Sequence, residues 1–102
     1  MIGTDIVYLP RLSLEEGFVK RILTDEEYSL YESFRTEKKK RDFLGGRFAA
    51  KEAIYKATQD PQYLSYTVLA DEKGRPYVKG HPEIEISIAH DREYAIAFVK
   101  EG

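Results

Sequence analysis

Cysteine and tryptophan are absent from this sequence of 102 residues, and no apolar stretch approaches the length of a membrane span. Without cysteine, the chain can form no disulfide and has no thiolate nucleophile. A helix that crosses a bilayer needs roughly 18 or more consecutive apolar residues. The segment from Met1 to Asp5 has neither a basic start nor a sustained apolar stretch, so we expect no signal peptide. These absences favour a cytoplasmic protein.

A strong charge of one sign is also missing. The chain has 16 basic and 18 acidic residues, which gives a net charge of −2 at pH 7. Such a chain has no overall electrostatic attraction for nucleic acid. An RNA-binding module would have to use the basic block at residues 38–41, and a block of this kind is usually a solvated helix face. We therefore expect no nucleic-acid partner and no membrane partner.

The length and composition predict a single globular domain that spans residues 1–102. Hydrophobic residues make up 42% of the chain and charged residues 33%, as in ordinary globular proteins. Helical patterns dominate up to residues 60–61, and short runs rich in β-branched and aromatic residues follow. This segregation predicts an α+β fold, in which a long central helix and shorter helices pack on a small antiparallel sheet.

The helices have recognisable start and stop signals. Thr24 can cap a helix whose acidic first turn includes Glu27, the partner expected in a capping box. That helix should break near residues 35–36, where the central helix begins, and the central helix should end near residues 57–58. The mixed spacing of residues 10–20 predicts a short helix and a turn.

Four short strands are expected after the helices, and a further strand at the start of the chain is a candidate member of the same sheet. Residues 71–76 carry a turn signal that predicts a hairpin. Every residue from Ala95 to Val99 is apolar, which predicts a strand buried on both faces. The expected strands cover residues 2–9, 66–70, 76–79, 84–88 and 94–99.

The central helix places small residues and charged residues on one stripe. Gly45, Ala49, Glu52 and Lys56 share this stripe, because helix positions three and four apart lie on the same face. Glu52 and Lys56 are most simply interpreted as a surface ion pair worth about 0.3–0.5 kcal/mol. A glycine inside a helix costs about 1 kcal/mol relative to alanine, so the pair Gly45-Gly46 needs a reason. Close approach of another backbone or of a ligand would supply it.

Three titratable residues stand out elsewhere. Asp5 interrupts an apolar strand, and its carboxylate would suit an edge position or a turn, or alternatively metal binding or acid–base chemistry. His81, between a glycine and a proline, is typical of a surface turn. His90 lies at the expected end of a strand, where loops present functional groups, although a solvated turn histidine is the commoner case.

Three segments of the chain share their residues, order and separation with a known family. They are Gly3–Val7, Phe43–Ala53 with Lys56, and Ser87–His90 followed by Tyr94–Ala95. Together with the run at 21–24 and the turn at 74–76, they resemble the holo-[acyl-carrier-protein] synthases, the small members of the 4'-phosphopantetheinyl transferase superfamily. The middle segment is the most specific, and the resemblance covers nearly the whole chain. It implies the 4'-phosphopantetheinyl transferase fold.

The resemblance also implies an activity. The 4'-phosphopantetheine group of coenzyme A would be transferred to a serine of apo-acyl carrier protein, giving holo-acyl carrier protein and adenosine 3',5'-bisphosphate. Coenzyme A and an acyl carrier protein would then be the partners, in fatty acid biosynthesis. The alternative is a non-catalytic module that holds coenzyme A or a carrier protein without transferring anything.

The same resemblance implies roles for the residues at matching positions. Asp5 and Glu52 would ligate Mg²⁺, or Mn²⁺, together with pyrophosphate oxygens and water, which suits a hard cation. Glu52 or a carboxylate-held water would take the serine proton, and Lys56 would contact the pyrophosphate. The implied catalytic residues are Asp5, Glu52 and Lys56, the implied coenzyme A-binding residues are Arg47, Lys56, Ser87 and His90, and the implied carrier-protein-binding residues are Arg11 and Arg21.

Small synthases of this family are trimers whose active sites lie between subunits, and the resemblance implies the same homotrimer here. The chain departs from the family pattern at three places. Residues 58–63 replace a glycine-rich loop with a shorter and stiffer connection. Ala89 stands where a hydroxyl residue is common, and Tyr8 stands where an acidic residue is common. None of these departures falls on the implied metal ligands.

Overall fold

The computed structural model describes all residues from Met1 to Gly102, which fill a body of 36 × 28 × 24 Å. Two short 3₁₀ turns, at Leu9–Arg11 and Tyr63–Ser65, accompany the regular elements. The helices precede most of the strands, so the predicted α+β class is confirmed. The helices are α1 (Glu16–Ile22), α2 (Asp25–Ser33) and α3 (Glu37–Thr58), and the strands are β1 (Ile2–Tyr8), β2 (Val68–Ala70), β3 (Pro76–Val78), β4 (Ile84–Asp91) and β5 (Tyr94–Glu101).

The strands form two hydrogen-bonded ladders. β1, β5 and β4 pair antiparallel in that spatial order, and β2 pairs with β3 as the predicted hairpin. The first strand therefore joins the sheet as expected, whereas the hairpin forms a ladder of its own. Asp5 lies opposite Ala97, which in turn lies opposite Ile88. The Asp5 carboxylate is thus held in the middle of an edge strand.

The capping residues place α2 and α3 where the sequence predicts them. At α2, the backbone N–H of Thr24 donates to Glu27 Oε1 at 2.8 Å and completes a capping box. At α3, the Thr36 hydroxyl oxygen accepts a hydrogen bond from the backbone N–H of Lys39 at 3.1 Å. Both caps occupy backbone donors that have no partner inside the helix.

The position of α1 differs from the prediction. This helix runs from Glu16 to Ile22, later than the expected segment at 10–20. The reason is a 3₁₀ turn that contains Pro10 and uses the chain up to Arg11. None of the helices combines the length and the hydropathy that a membrane span requires.

A buried ion pair between Glu27 of α2 and Lys51 of α3 ties the helices together. Both side chains are fully buried, and the Lys51 ammonium donates to Glu27 Oε1 at 2.8 Å. The same ammonium donates to the carbonyl oxygens of Ile22 and Tyr63, each at 2.9 Å. Burial lowers the pKa of Lys51, and the Glu27 carboxylate opposes that shift. With three acceptors, all three protons of the ammonium are used.

Glu27 is paired as completely as its partner. Its Oε1 also accepts from Thr24, and its Oε2 accepts from the backbone N–H of Val68 in β2 at 2.6 Å. No buried side-chain nitrogen or oxygen in the chain lacks a hydrogen-bond partner. The ion pair therefore joins α1, α2, α3, the second 3₁₀ turn and β2 at a single point.

Glycines allow α3 to lie close to the first part of the chain. A Cβ atom on Gly3 would lie 2.0 Å from the carbonyl oxygen of Ala53, so the backbone of β1 touches the backbone of α3 there. A Cβ atom on Gly45 would lie 2.1 Å from a methyl group of Leu9. The close approach to the central helix that its glycines predict is thus made at Gly45 by the side chain of Leu9. The close approach of two backbones occurs instead between Gly3 and Ala53.

The outer face of the three-stranded sheet is apolar and uncovered. The small side chains of β5 are buried beneath α3, but Ile96 and Phe98 are 43% and 47% exposed. The prediction that this strand is buried on both faces is therefore wrong for the single chain, because α3 covers only one face. The outer sheet face carries the exposed apolar side chains of Ile2, Ile6, Tyr8, Tyr94, Ile96 and Phe98, and the polar residues Thr4, Ser87 and Lys100 lie on the same face.

We expect Glu27→Ala to lower the free energy of unfolding by about 3–5 kcal/mol, because the Lys51 ammonium would stay buried without its counter-charge. The double variant Glu27→Leu/Lys51→Met should recover a large part of that loss, since it removes both charges. Urea denaturation followed by circular dichroism measures both values. Glu26→Ala breaks the exposed ion pair with Lys79, and this control should change stability little. A Glu27→Ala loss no larger than that of the control would contradict the role of the pair.

Candidate active site

Asp5 and Glu52 line one cleft between β1 and α3. The cleft has a volume of about 430 Å³, and Arg11, Phe18 and Phe48 form part of its wall. The Asp5 side chain is 18% exposed, and Glu52 is half-buried. The two carboxylates come from residues 47 positions apart in sequence, 52 − 5. They meet because β1 and α3 are in backbone contact just beside Asp5.

Lys56 is bound to Asp5 and not to Glu52. Its ammonium donates to Asp5 Oδ1 at 3.2 Å and to the carbonyl oxygen of Thr4 at 2.9 Å. The simple interpretation of Glu52 and Lys56 as a surface ion pair is therefore wrong. On β1 the Lys56 ammonium finds two acceptors, the Asp5 carboxylate and the Thr4 carbonyl oxygen. An ion pair with Glu52 would give it only one partner.

Glu52 has a different donor, Tyr63, which sequence reasoning missed. The Tyr63 hydroxyl donates to Glu52 Oε2 at 2.9 Å. Burial, followed by the hydrogen bond to Glu52, raises the pKa of Tyr63 to about 12, so the phenol keeps its proton at neutral pH. The sequence feature that could have pointed to Tyr63 is the unusual connection at 58–63, which ends at this tyrosine.

Each carboxylate keeps one oxygen without a donor from the chain. Asp5 Oδ2 and Glu52 Oε1 accept no hydrogen bond from the protein. Because every buried side-chain oxygen has a partner, these two atoms are accessible from solvent. They are the atoms of the cleft that are open to a cation, a proton or a water molecule.

The two carboxylates fit a divalent cation that uses substrate oxygens. No group of three or more histidine, aspartate or glutamate side chains could hold a metal ion on its own. Mg²⁺ is usually held by one or two carboxylates, with phosphate oxygens and water completing its coordination. The open oxygens of Asp5 and Glu52 match that donor set.

Arg47 lies outside the carboxylate cleft. Its Nε donates to the carbonyl oxygen of Val68 at 3.1 Å, and its guanidinium carbon lies 4.2 Å from the centre of the Phe43 ring. Burial lowers the pKa of Arg47. It lines a second and larger cleft, of about 740 Å³, together with Tyr77 of β3. The structure therefore separates Arg47 from Asp5 within one chain.

Ser87 and His90 also lie away from the carboxylates. Ser87 is exposed on the outer side of β4, opposite Phe98. His90 lies within β4, close to its end, and its Nε2 is 2.9 Å from the carbonyl oxygen of Asp42 in α3. His81 has the predicted surface setting, with its Nδ1 2.9 Å from the Glu83 carboxylate.

Arg11 and Arg21 are both exposed and lie on the same side as the cleft. The Arg11 guanidinium is 5.5 Å from the centre of the Tyr8 ring, and that of Arg21 is 6.0 Å from the centre of the Phe18 ring. Arg21 lines a groove of about 450 Å³ whose wall includes Phe18 and Phe48. Because both phenylalanines also line the carboxylate cleft, one apolar surface runs from Arg21 to Asp5 and Glu52.

The basic block at 38–41 makes its contacts within the chain. Lys38 pairs with Asp42 at 2.9 Å, and Lys40 lies over the ring of Tyr31 at 5.1 Å. Arg41 donates to the carbonyl oxygen of Leu12 at 2.6 Å. These contacts agree with the interpretation of the block as a helix face.

The sequence of this chain is similar to those of known transferases. The model of the 4'-phosphopantetheinyl transferase superfamily matches residues 1–99. A holo-[acyl-carrier-protein] synthase from Geobacillus sp. (strain WCH70) is 39% identical over 110 residues, which cover 96% of this chain and 92% of that protein. One from Onion yellows phytoplasma (strain OY-M) is 36% identical over 114 residues, which cover 96% of this chain and 90% of that protein.

Solved structures share the fold over the same length. A crystal structure of a holo-(acyl-carrier-protein) synthase from Bacillus anthracis str. Ames in complex with CoA (3',5'-ADP) has a TM-score of 0.84 and 33% identity, and the match covers 96% of this chain and 91% of that chain. The Helicobacter pylori holo-[acyl-carrier-protein] synthase in complex with coenzyme A has a TM-score of 0.82 and 27% identity, with 100% of both chains covered. This chain therefore belongs to the 4'-phosphopantetheinyl transferase superfamily, among its holo-[acyl-carrier-protein] synthases.

Proposed function

We propose that this chain transfers the 4'-phosphopantetheine group of coenzyme A to a serine of apo-acyl carrier protein. The observation that carries the proposal is the cleft in which Asp5 and Glu52 each present an open oxygen, with Lys56 bonded to Asp5. The coenzyme A complexes of two relatives support the choice of substrate. In this proposal residues 1–102 act as one domain, and the cytoplasmic location stays a prediction.

The transfer replaces a phosphoanhydride bond with a phosphoester bond. The serine oxygen of the carrier protein bonds to the β-phosphorus of coenzyme A, and the bond to the 3',5'-ADP oxygen breaks. A water molecule held by a carboxylate, or Glu52 itself, accepts the serine proton. Lys56 shifts its ammonium from Asp5 to the phosphates, where its charge offsets the charge that develops on the leaving group.

Asp5 and Glu52 are the residues that would hold Mg²⁺ or Mn²⁺. When bound, such a cation supplies positive charge to the pyrophosphate oxygens. The open oxygens of the two carboxylates are the hard donors that a divalent cation prefers. Arg47, Ser87 and His90 would then contact the rest of coenzyme A, at the positions that the family resemblance assigns to them.

Incubation of an apo-acyl carrier protein with this chain, coenzyme A and Mg²⁺ should add one phosphopantetheine group to the carrier, and intact mass spectrometry would show the gain. The gain should disappear with EDTA. Asp5→Ala and Glu52→Ala should each lower the rate by at least about 100-fold, because they remove a metal ligand or the proton acceptor. If the mass of none of several carrier proteins increased, the alternative function, a non-catalytic binding module, would be favoured.

A matched carboxylate variant separates the site from general effects of charge. Glu37→Gln removes a charge from the exposed start of the same helix, where Glu37 contacts only Arg41, and it should keep the activity of the unmodified chain. Circular dichroism should show that all three variants are folded. Full activity in Asp5→Ala or Glu52→Ala would contradict the assigned roles even if the unmodified chain transfers the group.

A homotrimer would bring the separated coenzyme-binding residues together. Asp5 faces α3, whereas Ser87 lies on the opposite side of the same sheet, so the two are not directed at the same group within one chain. The outer sheet face is a contiguous apolar patch of the kind that marks an interaction surface. We infer that this face packs against neighbouring copies and that each active site lies between two subunits.

Light scattering coupled to size-exclusion chromatography should give three times the chain mass of 11.8 kDa. Phe98→Glu should dissociate the trimer, because it places a charge in the centre of the buried outer sheet face, and transfer activity should fall with it. Leu30→Glu is the control for the oligomeric state alone, since Leu30 is also exposed but lies on α2, in the cleft of Arg47. A monomeric unmodified chain with full activity would overturn the trimer.

The surface around Arg11 and Arg21 is the proposed docking site for the carrier protein. Two exposed guanidinium groups suit an acidic helix, and the apolar surface beside Phe18 and Phe48 leads from them to the carboxylates. A carrier bound there would hold its serine near Glu52.

Arg21→Glu should raise the KM for the carrier protein about tenfold or more, because it turns an attractive charge into a repulsive one. The KM for coenzyme A should stay within about twofold, and the effect should shrink as salt is added. Lys73→Glu, the same change of charge in the hairpin turn, is the control for net charge. Equal effects of both variants on the carrier KM would show that net charge, and not this surface, governs binding.

A further inference from the structure

Tyr63 has no part in the transfer chemistry described above, yet it is the residue of this chain that bonds to the Glu52 side chain. Its hydroxyl donates to Oε2 at 2.9 Å. It is the last residue of the connection at 58–63 and the first residue of the 3₁₀ turn. This connection is also where the chain departs from the glycine-rich pattern of its family.

The position of Tyr63 is fixed from two directions. Its carbonyl oxygen accepts a hydrogen bond from the buried ammonium of Lys51 at 2.9 Å. Its ring packs edge-on against Phe48, with the ring centres 6.0 Å apart. Because Lys51 and Phe48 both belong to α3, the backbone and the ring of Tyr63 are anchored to the helix that carries Glu52.

The connection before Tyr63 is itself held by short-range hydrogen bonds. The backbone N–H of Asp60 donates to the Thr58 hydroxyl at 3.1 Å, and the Asp60 carboxylate accepts from the backbone N–H of Gln62 at 3.0 Å. Gln59 takes the left-handed conformation, with φ of 65°, that ends α3. The segment therefore delivers the phenol to one defined place.

The two carboxylates of the cleft have donors of different kinds. Asp5 is bound by the charged ammonium of Lys56, whereas Glu52 is bound by a neutral phenol. A second ammonium at Glu52 would compete with a divalent cation for the same charge. A neutral donor can orient the carboxylate and leave its charge in place, as partners behind metal ligands commonly do.

We infer that Tyr63 is a positioning residue for Glu52. Its hydroxyl holds Oε2, so that Oε1 alone is presented to the divalent cation. This inference rests on the proposed function, since it assigns Glu52 its role there. It also gives the connection at 58–63 a purpose, because this segment ends at the residue that makes the bond.

Tyr66 provides a matched control in the same part of the chain. Its hydroxyl donates to Asp60 Oδ2 at 2.9 Å, which is the same kind of bond at the same distance. Tyr66 lies at the opposite end of the turn and does not contact Glu52. Tyr66→Phe therefore removes an equivalent phenol–carboxylate bond without touching the cleft.

The test measures Mn²⁺ binding directly, from the signal of free Mn²⁺ in electron paramagnetic resonance, with coenzyme A present. Tyr63→Phe should bind Mn²⁺ about tenfold more weakly than the unmodified chain, because Glu52 would lose its fixed orientation. Tyr66→Phe should bind it with unchanged affinity. In transfer assays, the Mn²⁺ concentration needed for half-maximal rate should rise in Tyr63→Phe and stay unchanged in Tyr66→Phe.

An unchanged Mn²⁺ affinity in Tyr63→Phe would overturn the inference. Equal losses of Mn²⁺ affinity in both phenylalanine variants would also overturn it, since they would show a structural role for the whole connection. Failure of the proposed function looks different, because the unmodified chain would then bind Mn²⁺ without modifying any carrier protein. In that case the difference between the two variants in Mn²⁺ binding still decides whether Tyr63 positions Glu52.

Discussion

The ion pair between Glu27 and Lys51 is the constraint on which the rest of the structure depends. Burial of two charges in a protein interior costs roughly several kcal/mol per ion. This cost is offset only when every donor and acceptor of the pair forms a hydrogen bond. That condition brings the ends of α1 and β2 and the turn at Tyr63 to the middle of α3. Since Glu52 follows Lys51 directly, the direction of Lys51 into the interior also sets the direction of Glu52 towards the cleft.

Local chemistry made α2 and α3 predictable, but not the position of α1. The capping residues Thr24 and Thr36 each provide a hydroxyl where helix donors are unpaired, and these positions match the structure. The strand at Ala95 to Val99 was not fully predictable. Its pattern reports which side chains are apolar, and it does not report whether the second face is covered by the same chain or by another. The uncovered face is therefore a feature of the single chain that periodicity alone could not have shown.

Sequence reasoning named three residues that the structure brings together, but it did not predict their bonds. Asp5, Glu52 and Lys56 could be named from their places in the family motifs, and the structure places them around one cleft. The partner of Lys56 and the role of Tyr63 depend on contacts between β1, α3 and a turn, and no local spacing encodes such contacts. Gly3 shows the same limit of local sequence analysis. A side chain is excluded at this position only because the backbone of Ala53 lies against it in the folded chain.

The two carboxylates of the cleft have different partners in the chain. Lys56 is held beside Asp5 by the Thr4 carbonyl as well as by the carboxylate, whereas Glu52 is bound by the Tyr63 hydroxyl. Glu52 would repel Asp5 and turn away if nothing restrained it. A phenol restrains Glu52 without cancelling its charge, so a fixed geometry is combined with the negative charge that the proposed metal site requires. A charged donor at the position of Tyr63 would also fix the geometry of Glu52, but it would cancel the negative charge of the carboxylate.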